Sequence, residues 1–320
     1  MRTTFRYPDP PILLENVIGD LGDVLGLLER NAPYTPLGGW FRPGHDGDET
    51  MSPMWFQKTW MGGECDVEGS SVFVKHERVI ETVKQFYDAE VVIPHTLFVN
   101  LMVGIPECGP VHTDNPLFRG RTRMNTPMQL LRTMLWSGLF AEWATAQATS
   151  IWWMNDVDGG GIAYWPEGPD KPPARHVGAM ANTSIVGDNH GMFHQVEPVG
   201  PFDGETQLVS QVAELAPAND GSGDWAVTDH GVESLRAPLD DIRVSVLWKA
   251  DVFPTEEERL RVEADTLSFE DVARIFNEDL AEQGLDFRFD AKKVDDLEHA
   301  AELAEIYPQP IPVGTRKSAF

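Results

Sequence analysis

Long apolar runs are missing from this sequence: no stretch approaches the roughly 20 residues that a membrane-spanning helix needs. Cysteine is scarce. Cys65 and Cys108 are the only two, and neither sits in a CxxC pair, which argues against a disulfide framework or a thiolate metal site. Basic residues are also few, with 25 Lys and Arg against 51 Asp and Glu and a formal net charge of −26. Such a surface repels phosphate backbones and anionic membranes, so neither nucleic acid nor membrane is expected as a partner. Internal repeats and low-complexity tracts are absent. The opening segment, MRTTFRYPDPPILLENVIGD, lacks a signal-peptide pattern because acids and prolines interrupt its apolar residues. These absences predict a soluble, cytoplasmic protein whose partner is a small molecule, and they carry no signal of oligomeric state.

What is present is enough to build a large core. Hydrophobic residues make up 42% of the 320, aromatics 10%, which excludes wholesale disorder. Residues 13–30 place Leu14, Val17, Ile18, Leu21, Leu25 and Leu28 at helical spacing and predict one amphipathic helix. Residues 31–70, rich in Gly, Pro and Asp, read as irregular with short strands, and 77–88 as a second helix. Strand character begins with VVIPHTLFVNLMVGI, which ends at the turn IPECGP. A buried helix is expected over 127–143. Then SIWWMND, GIAYWP, HVGAMANTSIV, MFHQVEPV and DIRVSVLWKADVF read as strands between Gly/Pro/Asp turns. From about 254 the pattern is helical again. The expectation is one catalytic domain, mainly β with flanking helices. It has a helical and irregular region at 1–90, a sandwich or barrel core at 91–253, and helices at 254–320.

The segment V-H-T-D carries the chemistry. His112 and Asp114 are two residues apart, and on a strand such side chains point to one face. An imidazole and a carboxylate then converge on one point, as adjacent ligands of a metal must. About one HxD match is expected by chance at this composition, so the motif gains weight only from its surroundings. His194 lies 80 residues after Asp114 on the strand-like run MFHQVEPV and is the candidate third ligand. His190, in the turn-like GDNHG, competes with it. In I-R-V-S-V-L-W, Arg243 and Ser245 share one strand face while Val244, Val246 and Trp248 take the other. A buried arginine in an apolar strand needs an anion, since an unpaired buried charge costs several kcal/mol. A carboxylate gripped by the guanidinium, with the serine hydroxyl adding a bond, meets that need.

The order HxD…H…RxS resembles the iron(II)/2-oxoglutarate-dependent dioxygenase superfamily over roughly residues 91–253. WWMNDVDGGGIAYWP is similar to the hairpin that precedes the distal histidine in those enzymes. The resemblance implies a double-stranded β-helix, the jelly-roll core shared with cupins. It implies iron(II) held by His112, Asp114 and His194, which would be the catalytic centre, with 2-oxoglutarate and O2 as co-substrates. Arg243 and Ser245 would hold the distal carboxylate, and the expected outcome is hydroxylation of a small molecule with release of succinate and CO2. One departure is the spacing: Arg243 follows His194 by 49 residues, farther than the family pattern. An insertion at about 200–240 would account for it, as a surface excursion that could also serve, with the N-terminal helical region, as a lid. Arg236, inside that stretch, is the reserve for the arginine role.

Other residues keep two readings at this stage. Asn100, mid-strand in LFVNLMV, could bond the co-substrate or be a core amide. Trp153 and Tyr164 could line a substrate pocket or be ordinary aromatic core. Arg119, Arg121 and Arg123 in FRGRTR could receive an anionic substrate or pair with the chain's own acids. His45, His76, His95, His176, His230 and His299 lack convergent partners and read as structural or exposed. Two rival functions remain: a cupin-type metalloenzyme that does not use 2-oxoglutarate, and a non-catalytic small-ligand binding protein on the same scaffold.

Overall fold

The structure, a computed structural model, describes residues 5–37, 51–62, 67–200 and 204–315; His45 and Cys65 lie outside these. The chain begins with strand β1 (Ile12–Glu15), helix α1 (Leu21–Arg30), β2 (Thr35–Pro36), β3 (Met51–Pro53) and β4 (Trp55–Gly62). Helices α2 (Ser71–Val74) and α3 (Glu77–Tyr87) precede the long β5 (Val91–Val103), and α4 (Met128–Ser137) follows it. The middle of the chain holds β6 (Gln147–Trp153), β7 (Ile162–Tyr164), β8 (Ala174–His176), β9 (Thr183–Gly187) and β10 (His194–Val196). Next come β11 (Leu208–Ser210), β12 (Glu214–Pro217), β13 (Asp224–Asp229), β14 (Val232–Pro238) and β15 (Ile242–Phe253). Helices α5 (Glu256–Ala264), α6 (Phe269–Glu282) and α7 (Leu297–Ile306) close it. No helix among the described residues is long and apolar enough to cross a membrane.

The protein is mostly sheet with flanking helices. A seven-stranded antiparallel sheet runs in the order β1-β9-β6-β15-β5-β4-β2. Its middle strand, β15, pairs with β5 along its whole length and with β6 from Ser245↔Trp153 to Asp251↔Gln147. These are the segments richest in β-branched and aromatic residues, which suit a pleated buried surface. Because side chains alternate across a strand, Val244, Val246 and Trp248 join Val99, Leu101, Phe56 and Trp152 on one face. Helices α1 and α3 cover that face with Val24, Leu28, Val79 and Val83. Each such side chain, fully buried, contributes about 1.5–3 kcal/mol of transfer free energy. The opposite face carries Trp55, Gln57, Asn100, Met102, Arg243, Ser245 and Leu247 in adjoining registers. A three-stranded sheet, β10-β7-β8, packs against it. Trp55 and Met102 meet Val196 and Val199 at one end of this interface, and Trp153 and Ile185 meet Ile162 at the other. The interval between these two apolar plugs is the cavity.

Three expectations need correction. The helix expected over 13–30 is two elements, since β1 pairs with β9 through Leu14↔Ser184 and helix α1 begins only at Leu21. Asn16 turns the chain with φ 52°, and the Asp20 side chain accepts from Gly22 N, capping the helix at that point. Leu14, Val17 and Ile18 are buried all the same, so helical spacing arose from two differently built segments sharing one core. The region 1–90, expected to be helical and irregular with short strands at 31–70, supplies β1, β2 and the eight-residue β4 to the large sheet. Finally, the stretch at 200–240 is no lid over the cavity. Its strands β12-β13-β14 form an antiparallel meander whose Leu215, Trp225 and Val227 join the core on the helix-covered face, with the Trp225 ring 6.1 Å from that of Tyr34. None of its described residues lines the cavity.

Candidate metal centre

His112 and His194 face each other across an isolated antiparallel bridge. Each donates its backbone N–H to the other's carbonyl, at 3.0 and 2.8 Å, so both side chains leave the bridge on one side. Their ring centroids are 4.3 Å apart. Asp114, two residues on from His112, is held by its N–H to the Asn189 carbonyl at 2.8 Å. Donor atoms of His112, Asp114 and His194 lie within 4.8 Å of one another, the only such group of metal-binding side chains among the described residues.

The hydrogen bonds around this group fix which atoms face inward. His112 Nδ1 lies 2.9 Å from the Pro110 carbonyl oxygen and His194 Nδ1 3.2 Å from that of Met192. A carbonyl can only accept, so both Nδ1 atoms carry a proton, which leaves Nε2 as the ring atom each histidine would offer a metal. Asp114 divides its oxygens: Oδ2 accepts from Lys249 Nζ at 2.8 Å, while Oδ1 stands 3.9 Å from His194 Nε2. Burial alone would raise the Asp114 carboxyl. Attraction by Lys249, and then by the neighbouring histidines, outweighs it and holds the group well below the usual carboxylate range. Burial first, and the proximity of His112 next, push His194 down to about 4 against the pull of Asp114. An ionised carboxylate beside a neutral imidazole is the state a divalent cation binds without displacing a proton.

At the other end of the cavity stands Arg243, 2% exposed. It donates from Nε to the Gly160 carbonyl at 2.6 Å and from Nη1 to Ser245 Oγ at 2.6 Å. No acid among the described residues forms an ion pair with it, and its guanidinium lies 5.7 Å from the Trp153 ring. Burial pushes it down to about 10, which leaves it cationic at neutral pH. Gly160 explains how the strand hairpin accommodates it. With φ 71°, a Cβ there would come within 3.0 Å of Arg243 Cδ and 2.9 Å of Val157 Cγ2, so the DVDGGG turn needs glycine at this position. Asn100 lies beside Ser245 in the next strand. Its Oδ1 accepts from Trp55 Nε1 at 3.3 Å and Gln57 Nε2 at 2.8 Å, which leaves its NH2 for the cavity. The cavity, about 160 Å³, is lined by these polar groups, by the three candidate ligands and by apolar walls that include Leu37, Trp55, Ile162 and Leu247.

The remaining sequence candidates fall elsewhere. His190 is buried close by but outside the group of three. It sits in a turn whose backbone donates to Asp188 Oδ1, and burial pushes it down to about 3. Arg236 is on the exposed meander, paired with Glu233 and Asp220. Trp153 donates to the Gly160 carbonyl from behind Arg243, and Tyr164 is half-buried opposite His194 on β7; neither lines the cavity. Arg119 pairs with Asp265 and stacks over Trp143, and Arg121 bonds the Leu267 carbonyl over the Phe269 ring, so these two fasten the C-terminal helices instead of facing a substrate. Arg123 alone of the three reaches a cavity beside the ligands. Among the other histidines, His76 caps α3, His95 pairs with Asp251 and His176 bonds Thr183. Sequence reasoning missed Lys249, Trp55 and Gln57. The alternation of β15 puts Lys249 on the Arg243 face, a signal that was available; β4 was hidden by its Gly- and Pro-rich surroundings.

No family model and no curated protein matches the chain. Solved structures similar to it include a 2OG-Fe(II) oxygenase family oxidoreductase from Burkholderia pseudomallei, at 13% identity and TM-score 0.41, covering 75% of this chain and 84% of that one. Another is the non-heme alpha ketoglutarate-dependent epimerase SnoN from nogalamycin biosynthesis, at 11% identity and TM-score 0.42, covering 76% and 77%. A prolyl-4-hydroxylase from Pseudomonas putida matches at 12% identity and TM-score 0.39, covering 76% and 91%. At such identities and TM-scores the function has to be read from the site itself.

Proposed function

We propose that this chain is a non-haem iron(II), 2-oxoglutarate-dependent oxygenase that oxidises, by default hydroxylates, a C–H bond of a small molecule. The observation that carries the reading is Arg243: a buried cation without an acidic partner among the described residues, at one end of a cavity whose other end is His112, Asp114 and His194. Two imidazoles and one carboxylate, their donor atoms within 4.8 Å of one another, are the donor set of a facial iron(II) site with open positions. When bound, iron(II) would supply O2 activation coupled to decarboxylation of 2-oxoglutarate to succinate and CO2. On this reading the β10-β7-β8 sheet and the large sheet are the two walls of a double-stranded β-helix, and the described chain is one catalytic domain.

The chain's own residues then have separate tasks. Arg243 and Ser245 neutralise and bond the distal carboxylate of the co-substrate, a charge-assisted pairing in a dry setting. The Asn100 amide donates to the same molecule. Lys249 occupies the second oxygen of Asp114 and so presents the first to the metal, as outer partners of ligands do. Trp55, Ile162, Val196 and Leu247 keep water from the reacting atoms. A cupin-type enzyme without 2-oxoglutarate would leave the Arg243 charge unmatched, and a non-catalytic binding protein would leave the tautomer-set histidines without purpose.

The test is succinate formation from 2-oxoglutarate by the iron(II)-loaded protein under air, with and without a small-molecule panel. Succinate is expected in the wild type and none in His112→Ala or after chelation of the metal. Turnover that persists in His112→Ala would overturn the assignment.

A further inference from the structure

A second cavity adjoins the candidate ligands. Its volume is about 480 Å³, and His112 and Asp114 line both it and the cavity that holds Arg243. A substrate lying in this space would stand beside His112 and Asp114 without displacing an anion held by Arg243. Arg123 and Arg132 stand on its wall with Asn115 and Gln309.

These two arginines differ from several of the chain's other arginines. Arg119, Arg259, Arg261 and Arg274 are matched to nearby carboxylates, and Arg121 to a carbonyl. Arg123 and Arg132 have neither ion pair nor hydrogen bond among the described residues. The sequence explains why. Between Asp114 and Glu142 there is no Asp or Glu at all, although acids are 51 of the 320 residues, and the stretch holds four arginines. Helix α4 therefore offers Arg132 no acid at helical spacing. In a chain of net charge −26, a surface segment cleared of carboxylates beside the reaction centre keeps its positive field for a ligand.

We infer that Arg123 and Arg132 form an anion subsite for the substrate, which carries a carboxylate or phosphate group at a distance from the bond to be oxidised. Guanidinium forks suit both groups, binding either by paired, charge-assisted hydrogen bonds. The subsite anchors one end of the substrate and so presents its other end to the metal position, a use of remote binding energy to orient the reacting centre. The role as a substrate site rests on the oxygenase reading above; the affinity for anions does not.

The experiment uses the full-length protein and pairs of probes that differ by one charge. N-acetyl amino acids are set against their amides, and phosphate monoesters against the parent alcohols. Binding to metal-free protein is measured by calorimetry, and stimulation of succinate release is measured on protein loaded with iron(II) and 2-oxoglutarate. At least one anionic probe is expected to bind about tenfold or more tightly than its neutral partner. That preference should disappear in R123Q/R132Q while 2-oxoglutarate affinity is unchanged; R123Q alone, at an exposed position, serves if the double variant does not fold. Equal binding of charged and neutral probes, or a preference that survives the variants or is lost in Arg243→Met instead, overturns the subsite. An anion preference in the calorimeter with no succinate from any probe would sink the oxygenase reading and leave the subsite standing.

Discussion

The two faces of β15 were built for opposite purposes from one alternating run of residues. On one side Val244, Val246 and Trp248 are fully buried under α1, α3 and the β12-β13-β14 meander. On the other, Arg243, Ser245, Leu247 and Lys249 look into or border the cavity. The first face lowers the free energy of the fold. The second raises it, because a buried guanidinium without an acidic partner is costly until an anion arrives. A single strand can hold both since its neighbours β5 and β6 secure it by pairing alone. The difference teaches where substitutions should separate stability from function.

The largest effect on folding is expected from the helix-covered face. Trp248→Ala should cost about 3–5 kcal/mol, read as a lowered midpoint of denaturant unfolding, and it would contradict the division of labour if stability held while binding fell. On the cavity face, Arg243→Met should weaken 2-oxoglutarate binding by about a hundredfold or more. Its unfolding midpoint should stay level or rise, since an unmatched buried charge has been removed. A large loss of stability there would mean that the arginine is a structural ion-pair partner after all. Lys249→Met should leave the fold in place and weaken iron(II) binding by about 10–100-fold, through loss of the group that holds Asp114 Oδ2. Equilibrium dialysis of the metal would measure it. Arg236→Ala should change neither stability nor co-substrate affinity measurably, because that side chain is solvent-facing on the far side of the large sheet and its ion pairs are screened. A drop in 2-oxoglutarate affinity in this variant would reverse the choice between the two arginines.

Much of this division was legible in the sequence because alternation is a local property. I-R-V-S-V-L-W assigns Arg243 and Ser245 to one face by spacing alone, and V-H-T-D does the same for His112 and Asp114. The convergence of His194 needed the ordered motif as a whole, since a single HxD arises by chance. Long-range pairing is what the residues did not reveal. That β4 lies beside β5, and that Trp55 and Gln57 therefore face Asn100, depends on a register set by the entire sheet. The same holds for 200–240. Its Gly and Asp turns suggested a surface excursion, but Leu215, Trp225 and Val227 carry the apolar face that lays it on the opposite side from the cavity. The split of 13–30 into a strand and a helix turned on Asp20, whose capping competes with continuation of the helix on equal terms until the β1–β9 pairing decides it.

The most direct measurement is an anaerobic titration of the iron(II)-loaded protein with 2-oxoglutarate, followed by the visible charge-transfer absorption of the chelate. The account predicts a saturable band in the wild type, no band in His112→Ala, and a band in Arg243→Met only at far higher 2-oxoglutarate. No band in the wild type, or an unchanged band in His112→Ala, would contradict it.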